Sequence, residues 1–333
     1  MGGHHMKWYD IRDDRRRWRA FNIVIASRGV GKTYSAIDYA INDAPGKFIY
    51  MRNKKEEILA CATEFGNPFK AWNENNGRNI YMKNARECAY VMEDDPEGNP
   101  VVLGYGVALS TFSNLRGVDL SDVTDIIFDE AISKERLYYD QFNAFVNMYE
   151  TINRNRELMG RDPLRVFIFS NAQKLYSPIL AGLGLIPIIE NMTRTGQKNY
   201  STREIWISLP ESEVSEAKKD TVLYRAARKS RYYSEAIENK FANDSFYGIR
   251  NKIRIVEYTP IAKLDDMYLW RHKSDGSLYV CSIPAINIPE YDSKVNTIIL
   301  MRSLYVELAT SYATGRLFFS DFQIKSKLLE IIR

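Results

Sequence analysis

Short apolar runs alternate with amphipathic stretches along the first 210 residues. Phe21–Ile25 is an apolar run of strand length, and Thr33–Asn42 has apolar residues at helical spacing. A long helix is predicted at Glu135–Met159 from the same spacing. Further strands are predicted at Phe48–Met51, Asp125–Phe128, Leu164–Ser170 and Ile205–Leu209. Strands that alternate with helices predict an α/β domain with a mainly parallel central sheet.

Two stretches depart from this alternation. Residues 80–110 hold short strand-like pieces around a polar turn at 94–100, which indicates hairpins inserted in the domain. Residues 211–243 are rich in charge and predicted to be helical. Strands then return at Ile253–Val256, Met267–Trp270 and Leu278–Val280, followed by helices at Val295–Thr314 and Phe322–Ile332. We therefore predict a first domain at 6–210, a helical linker at 211–245 and a small second domain at 246–333.

The composition narrows the classes of function. The 333 residues are 45% hydrophobic, as in a globular protein. The sequence contains no run of about 18 apolar residues, so a membrane span is not expected. Residues 1–5 read as the remnant of a purification tag, which leaves His272 as the one remaining histidine and nearly excludes a zinc site or a histidine-based triad. The net charge of +4 fits an ordinary soluble protein or local basic patches that bind a polyanion.

The segment between the first strand and the first helix carries a phosphate-binding motif. It reads Ala26-Ser27-Arg28-Gly29-Val30-Gly31-Lys32-Thr33, and all eight residues are predicted to bind ATP. Gly29 and Gly31 let the backbone wrap the phosphates, while Lys32 can reach the β- and γ-phosphates. The helix that follows directs its positive end at the anion. Ala26 stands where the motif usually has its first glycine, which is tolerable if its φ is negative.

A second motif ends an apolar strand in two carboxylates. In Ile126-Ile127-Phe128-Asp129-Glu130, we predict that Asp129 and the Thr33 hydroxyl hold the magnesium ion of the bound nucleotide. Glu130 is predicted to polarise the attacking water as a general base. An acid directly after the magnesium aspartate indicates ATP hydrolysis. Asn171 ends the next strand after Ser170 and is predicted to sense the γ-phosphate.

Several arginines could stabilise the charge that develops on the γ-phosphate. Arg154 and Arg156 follow the predicted long helix, Arg116 precedes the carboxylate strand, and Arg28 lies inside the phosphate loop. An arginine presented to a neighbouring subunit would act in trans, whereas Arg28 could act in cis. The residue pattern leaves these alternatives open.

Taken together, the motifs resemble the DNA-packaging ATPases of phi29-like bacteriophages, which are small terminase-like motors. The resemblance rests on segments in the same order along nearly the whole chain. These segments are Asn22–Tyr34, Phe48–Arg52, Ile126–Glu130, Asn153–Glu157, Ser170–Ala172 and Thr314–Phe319. It implies an ASCE-type P-loop ATPase fold, with ATP and Mg²⁺ as cofactors.

The resemblance also implies partners and further site residues. It implies a ring of identical subunits, usually five, that drives double-stranded DNA into an empty procapsid at the portal vertex. Such a ring works in the host cytoplasm and is absent from the mature virion. Arg154 takes the place of the trans arginine and Arg116 that of a second basic residue across the interface. Arg52, Lys54 and Lys55 fall in a loop facing the DNA channel, where cations meet phosphates without reading bases.

The second domain resembles a reduced RNase H-like domain of the same family. Active versions bind two metals with clustered carboxylates, but Asp265 and Asp266 lie upstream of the expected strand position, so we predict a vestigial nuclease without activity. The resemblance further implies contact with the portal or with a packaging RNA. Basic residues that could serve this contact, or form a solvated face, are Lys294, Arg302, Arg316, Lys325 and Lys327.

Three other functions remain in competition. Another DNA-pumping ATPase, of the conjugation or chromosome-segregation kind, would usually carry membrane segments or extra recognition domains. A small-molecule kinase would need a lid with paired arginines and no glutamate after Asp129. A nucleotide-gated assembly protein would bind its partner through the second domain without turnover.

Overall fold

The computed structural model describes residues 7–115, 117–132, 140–171, 177–211, 213–226, 248–250, 252–293 and 302–332. The chain divides into two compact units. Residues 1–182 and 191–242 belong to the first unit, and residues 183–190 and 243–333 to the second. The described part of the predicted linker, residues 213–226, lies in the first unit, so the linker limits stay a prediction.

The first unit is built on a nine-stranded sheet. Its strands are β1 (Phe21–Ile25), β2 (Lys47–Arg52), β3 (Tyr81–Asn84), β4 (Ala89–Asp94), β5 (Pro100–Ala108), β6 (Val123–Phe128), β7 (Arg165–Ser170), β8 (Asn199–Ser201) and β9 (Ile205–Ser208). They are ordered β3-β4-β5-β2-β6-β7-β1-β9-β8. The run from β5 to β9 is parallel, while β3, β4 and β8 add antiparallel edges. The predicted mainly parallel sheet and the inserted hairpins are therefore confirmed.

The central strands are apolar on both faces, as a parallel sheet covered by helices requires. The described helices up to residue 226 are α1 (Lys32–Asn42), α2 (Lys55–Cys61), α3 (Lys70–Asn76), α4 (Gln141–Asn153), α5 (Pro178–Gly182), α6 (Ile186–Thr195), α7 (Glu213–Lys218) and α8 (Val222–Ala226). Residues 186–190 of α6 belong to the second unit. Short 3₁₀ helices occur at Ile11–Arg17, Leu109–Leu115 and Arg156–Met159. Among the described helices, none is both long and apolar enough to cross a membrane.

The long helix predicted at Glu135–Met159 extends too far at its C-terminal end. α4 stops at Asn153 because Arg154 and Asn155 both adopt left-handed backbone conformations, with φ of 45° and 57°. Two successive residues of this kind cannot continue a right-handed helix. The predicted residues 135–139 lie outside the described residues.

An aromatic cluster fixes α1 against the sheet. Trp18 packs edge-on against Tyr39 of α1 and Phe167 of β7, with ring centroids 4.8 and 5.0 Å away. The Tyr39 hydroxyl donates to the buried Asp125 carboxylate at 3.1 Å, and Arg165 Nε donates to the same carboxylate at 2.8 Å. Because α1 begins at Lys32, within the phosphate-binding motif, this packing holds the end of the motif in place.

The second unit contains a five-stranded sheet. Its strands are β10 (Tyr258–Leu264), β11 (Met267–His272), β12 (Leu278–Cys281), β13 (Glu290–Tyr291) and β14 (Leu317–Phe319), ordered β13-β10-β11-β12-β14. Its described helices α9 (Arg302–Ala313) and α10 (Phe322–Ile332) contribute Leu308 and Leu328 to the core. The strand predicted at Ile253–Val256 is wrong, because Ile255–Glu257 is a 3₁₀ helix and the strand begins at Tyr258.

Candidate nucleotide site

A cleft of about 600 Å³ opens where parallel strands β1, β6 and β7 end. Such an edge is the usual ligand-binding edge of an open α/β sheet. The residues that line the cleft are Trp8, Arg28, Gly29, Gly31, Lys32, Thr33, Tyr34, Asp129, Glu130, Ser170 and Asn171. The structure therefore brings together the phosphate motif, the carboxylate motif and the end of β7.

The conformation of the phosphate loop explains its glycines. Gly29 and Gly31 have φ of 61° and 102°, which side-chain-bearing residues rarely adopt. A Cβ on Gly31 would also lie 3.3 Å from the Tyr9 carbonyl oxygen and 3.4 Å from the Trp8 ring. Ala26 does not have a positive φ, and its backbone N–H donates to the Ser170 carbonyl oxygen at 3.2 Å. Its methyl group is accommodated for that reason.

Lys32 is almost wholly buried at the base of the cleft. Its ammonium donates to the carbonyl oxygens of Ala26 at 2.9 Å and Ser27 at 2.6 Å, and to Asn171 Oδ1 at 3.0 Å. Burial lowers the pKa of Lys32 to about 8; Asp129 opposes this effect, while Lys218 and Arg28 add to it. An anionic ligand would favour the charged form. Asn171 contacts the same ammonium, and its role as a γ-phosphate sensor stays a prediction.

Thr33 and Asp129 present oxygen atoms side by side. The Thr33 hydroxyl donates to Asp129 Oδ1 at 3.1 Å, and the Tyr50 hydroxyl donates to Oδ2 at 3.1 Å. A hydroxyl and a carboxylate are ligands of the kind that Mg²⁺ takes alongside phosphate oxygens and water. The residues present therefore fit the predicted metal.

Glu130 lies at the mouth of the cleft in a strained conformation. Its φ is 52°, and its side chain is 54% exposed. Arg52 Nη1 pairs with Glu130 Oε2 at 2.7 Å, and Arg52 Nη2 lies 3.3 Å from Asp129 Oδ2. Burial works against the charge of Arg52, but Tyr50, Asp129 and Glu130 outweigh it and raise the pKa of the guanidinium.

The placement of Arg52 differs from the DNA-facing role predicted for it. Its side chain is only 18% exposed, since it reaches from the end of β2 to the two carboxylates at the end of β6. Lys54 and Lys55 follow at the start of α2, where Lys55 is half-buried and its ammonium lies 3.6 Å from Glu87 Oε2. A DNA-binding role for these two lysines stays a prediction.

Two buried amides hold the backbone that carries Glu130. Asn53 Nδ2 donates to the carbonyl oxygens of Glu130 and Ala131, both at 3.1 Å. Gln141 Nε2 donates to Asn53 Oδ1 at 2.7 Å and to the Ala131 carbonyl oxygen at 2.9 Å. The sequence interpretation missed both residues because amides at element ends carry no motif, although Asn53 directly follows Arg52.

The arginines after α4 separate into two kinds. Arg156 is buried, and its Nη2 donates to the carbonyl oxygens of Val123 at 2.5 Å and Ser121 at 3.1 Å, which makes it a structural residue. Arg154 is half-exposed and lies 3.4 Å from the exposed Asp119 carboxylate. Arg116 lies outside the described residues.

The fold and the cleft are consistent with an α/β nucleotide-binding protein whose ligand would lie at the ends of the parallel strands. Residues 6–298 match the family described as "Podovirus DNA encapsidation protein (Gp16)", and the chain belongs to this family. It is a DNA packaging ATPase of the phi29-like kind, so the resemblance found in the sequence is confirmed.

Known relatives agree with this assignment. The DNA packaging protein of Bacillus phage B103 is 26% identical over 271 residues, which cover 79% of this chain and 77% of that protein. The packaging motor assembly of bacteriophage phi29 has a similar chain fold, with a TM-score of 0.62 at 18% identity, covering 98% of this chain and 99% of that one. The Phi-28 gp11 DNA packaging motor gives a TM-score of 0.58 at 18% identity, with 98% of each chain covered. At this identity the two structures show a shared fold.

Proposed function

We propose that this ATPase forms a homo-oligomeric ring, with five subunits as its expected number, that pumps double-stranded DNA through the portal of a preformed procapsid. The observation that carries the proposal is the convergence of Lys32, the Thr33–Asp129 pair and Glu130 in one cleft of a DNA encapsidation protein. Binding alone would not need a carboxylate beyond the magnesium ligand. Glu130 therefore favours turnover over a gating role.

Different residues of the cleft would bind the phosphates, hold the metal and activate the water. The loop N–H groups and Lys32 hold the phosphates, and Asn171 at the end of β7 faces the same ammonium. Thr33 and Asp129 would hold Mg²⁺, which neutralises charge on the β- and γ-phosphates when bound. Glu130, released from Arg52, would orient and deprotonate the attacking water. Arg52 thus decides whether the base is available.

We assign the first unit to the ASCE-type P-loop ATPases. Strand β7 lies between the phosphate-loop strand β1 and the carboxylate strand β6, and it delivers Asn171 to the cleft. This extra strand between the two motif-bearing strands, together with the acid after Asp129, supports the assignment. Strand β7 also brings a third strand end to the site, from which Asn171 could contact the γ-phosphate.

For the second unit we propose a docking role at the portal or on a packaging RNA, without nuclease activity. Both candidate carboxylates are engaged by neighbours, Asp265 by the Ser293 hydroxyl at 2.7 Å and Asp266 by the Lys327 ammonium. The basic residues named from the sequence are not equally available for this docking contact. Lys325 is buried, and Arg316 donates to the Asp275 carbonyl oxygen.

The test is ATP hydrolysis by the purified chain with and without double-stranded DNA, followed by packaging of DNA into matched empty procapsids. A motor subunit hydrolyses ATP faster when DNA is present and fills the procapsid. Stimulation without packaging would favour another DNA-pumping ATPase. Hydrolysis that is absent under all conditions would contradict the proposal.

A further inference from the structure

A lysine far along the chain contacts the backbone of the phosphate loop. Lys218, the last residue of α7, donates from Nζ to the carbonyl oxygens of Arg28 at 2.6 Å and Gly29 at 3.1 Å. Its ammonium lies 2.5 Å from the position that a Cβ on Gly29 would take. No motif in the sequence connects Lys218 with the loop.

The other end of α7 is tied to the same region. The Lys7 backbone N–H donates to Glu213 Oε2 at 3.0 Å, and the Tyr9 N–H donates to the Val30 carbonyl oxygen at 3.1 Å. Val214 of α7 is buried. The helix therefore contacts the phosphate loop directly through Lys218 and indirectly through the lead-in segment at residues 7–9. A conformational change in the loop would therefore affect the contacts at both ends of α7.

The direction of Lys32 indicates where the terminal phosphate of a bound nucleotide would lie. In this motif the lysine reaches the β- and γ-phosphates, and here its ammonium points back to Ala26 and Ser27 at the start of the loop. The terminal phosphate is therefore expected over the first half of the loop. Lys218 covers that half, at Arg28 and Gly29.

The charges around the loop favour a further anion contact. Lys32, Arg28 and Lys218 bring three cations together around the loop, and both Arg28 and Lys218 repel the Lys32 ammonium. Carbonyl oxygens are weak partners for an ammonium compared with an ionised phosphate oxygen. A triphosphate that enters the cleft would offer Lys218 a stronger partner than these two carbonyl oxygens.

We propose that Lys218 binds the terminal phosphate of ATP and thereby makes the position of α7 differ between the ATP and ADP states. The ammonium exchanges the Arg28 and Gly29 carbonyl oxygens for a γ-phosphate oxygen, which ADP lacks. Since α7 opens the segment that leads along the chain to the second unit, the state of the nucleotide is passed to that segment. This inference rests on the proposed ATPase function and adds a residue to its site.

The test compares two nucleotides in the full chain. Lys218→Gln should weaken binding of a slowly hydrolysed ATP analogue by about ten-fold and that of ADP by less than about two-fold. Lys218→Arg should keep the preference for the ATP analogue, and Lys219→Gln is the matched control on the neighbouring residue. An equal loss for both nucleotides would mean that Lys218 only shapes the loop, and no loss for either would exclude it from the site.

A second measurement needs no variant. Backbone hydrogen exchange of residues 213–226 in the wild-type chain should differ between the ATP-analogue and ADP complexes, and identical exchange would overturn the inference. If the wild-type chain failed to bind ATP at all, the proposed function itself would fall. The two failures are therefore distinguishable.

Discussion

The residues proposed for catalysis include two that lie in conformations few side chains adopt. Glu130 and Arg154 both have positive φ, at 52° and 45°. Left-handed backbone at a non-glycine residue costs on the order of 1 kcal/mol and persists where the surroundings enforce it. For Glu130 the enforcing groups are Asn53 and Gln141, whose amides bind the carbonyl oxygens of Glu130 and Ala131. The strain directs the Glu130 carboxylate to the cleft mouth, where water can reach it.

Replacing Glu130 by glutamine should separate binding from turnover. Glu130→Gln keeps the shape of the side chain but removes the base, so ATP should still bind while hydrolysis falls by at least about 100-fold. Equilibrium binding of a fluorescent ATP analogue and steady-state phosphate release measure the two effects. Glu64→Gln, on an exposed residue away from the cleft, is the control. Normal steady-state hydrolysis by Glu130→Gln would refute the assignment of the base.

The lowered pKa of Lys32 predicts proton uptake on nucleotide binding. Without a ligand the pKa is about 8, and bound phosphates favour the charged form and raise it. Above pH 8 the free site is largely neutral, so ATP binding takes up a proton and weakens as the pH rises; at pH 7 the lysine is already charged and uptake is small. Calorimetric titrations in buffers of different ionisation enthalpy at pH 7 and pH 9 measure this. Equal uptake at both pH values would contradict it.

At the scale of elements, the secondary structure that was predicted correctly is the part with a local sequence pattern. The strand–loop–helix around Gly29 and Gly31 was predicted because each part has its own pattern, and the packing of Trp18 on α1 only secures it. Ile253–Val256 looked like a strand from its isoleucines and valine, yet Ile253 and Ile255 instead pack on a small aromatic cluster before the sheet begins. Local propensity cannot anticipate that tertiary contact.

Contacts between distant residues that belong to no motif could not be predicted. Arg52 meets Glu130 across 78 positions of the chain, and Lys218 meets Arg28 across 190. A single sequence shows both residues only as cations in polar surroundings. The nucleotide-binding half of the site was therefore predictable from its motif, whereas the groups that restrain Glu130 and cover the loop required the fold.

The junction of β2 and α2 predicts a coupling effect for Arg52. Arg52 engages Glu130, and Lys54 and Lys55 follow it at the start of α2. If these lysines meet DNA, a shift of the junction would withdraw Arg52 from Glu130 and free the base. Arg52→Ala should therefore bring DNA-stimulated hydrolysis within about two-fold of the rate without DNA, because the restraint that DNA relieves is absent.

The ratio of the ATPase rates with and without DNA measures the coupling. Arg78→Ala, which breaks a comparably half-buried pair with Glu93 away from the cleft, should leave the ratio unchanged. A full DNA stimulation in Arg52→Ala would show that the pair does not restrain the base.

At the scale of the whole molecule, one turn of the first unit is suited to contact another subunit. Leu158 and Met159 are 85% and 66% exposed, next to the half-exposed Arg154. Arg156 anchors this turn to the backbone before β6, so Arg154 is displayed on a fixed support. Apolar side chains around an outward-facing arginine are the residue types that central interface regions favour. This supports the proposal that the ATP site is completed by a neighbouring subunit.

A ring with shared sites makes a prediction that a self-contained site does not. Arg154→Ala and Glu130→Gln should each abolish hydrolysis in a homogeneous ring. In a mixed ring, an Arg154→Ala subunit keeps Glu130 in its own site and receives Arg154 from a Glu130→Gln neighbour. With equal amounts of each, about one quarter of the interfaces would pair the two intact groups.

DNA-stimulated hydrolysis measured across mixing ratios should therefore peak near equal proportions, because productive interfaces are most frequent there. Arg161→Ala, an exposed arginine after the same turn, should behave as wild type and give no such peak with Glu130→Gln. No recovery at any ratio would place Arg154 outside the neighbour's site.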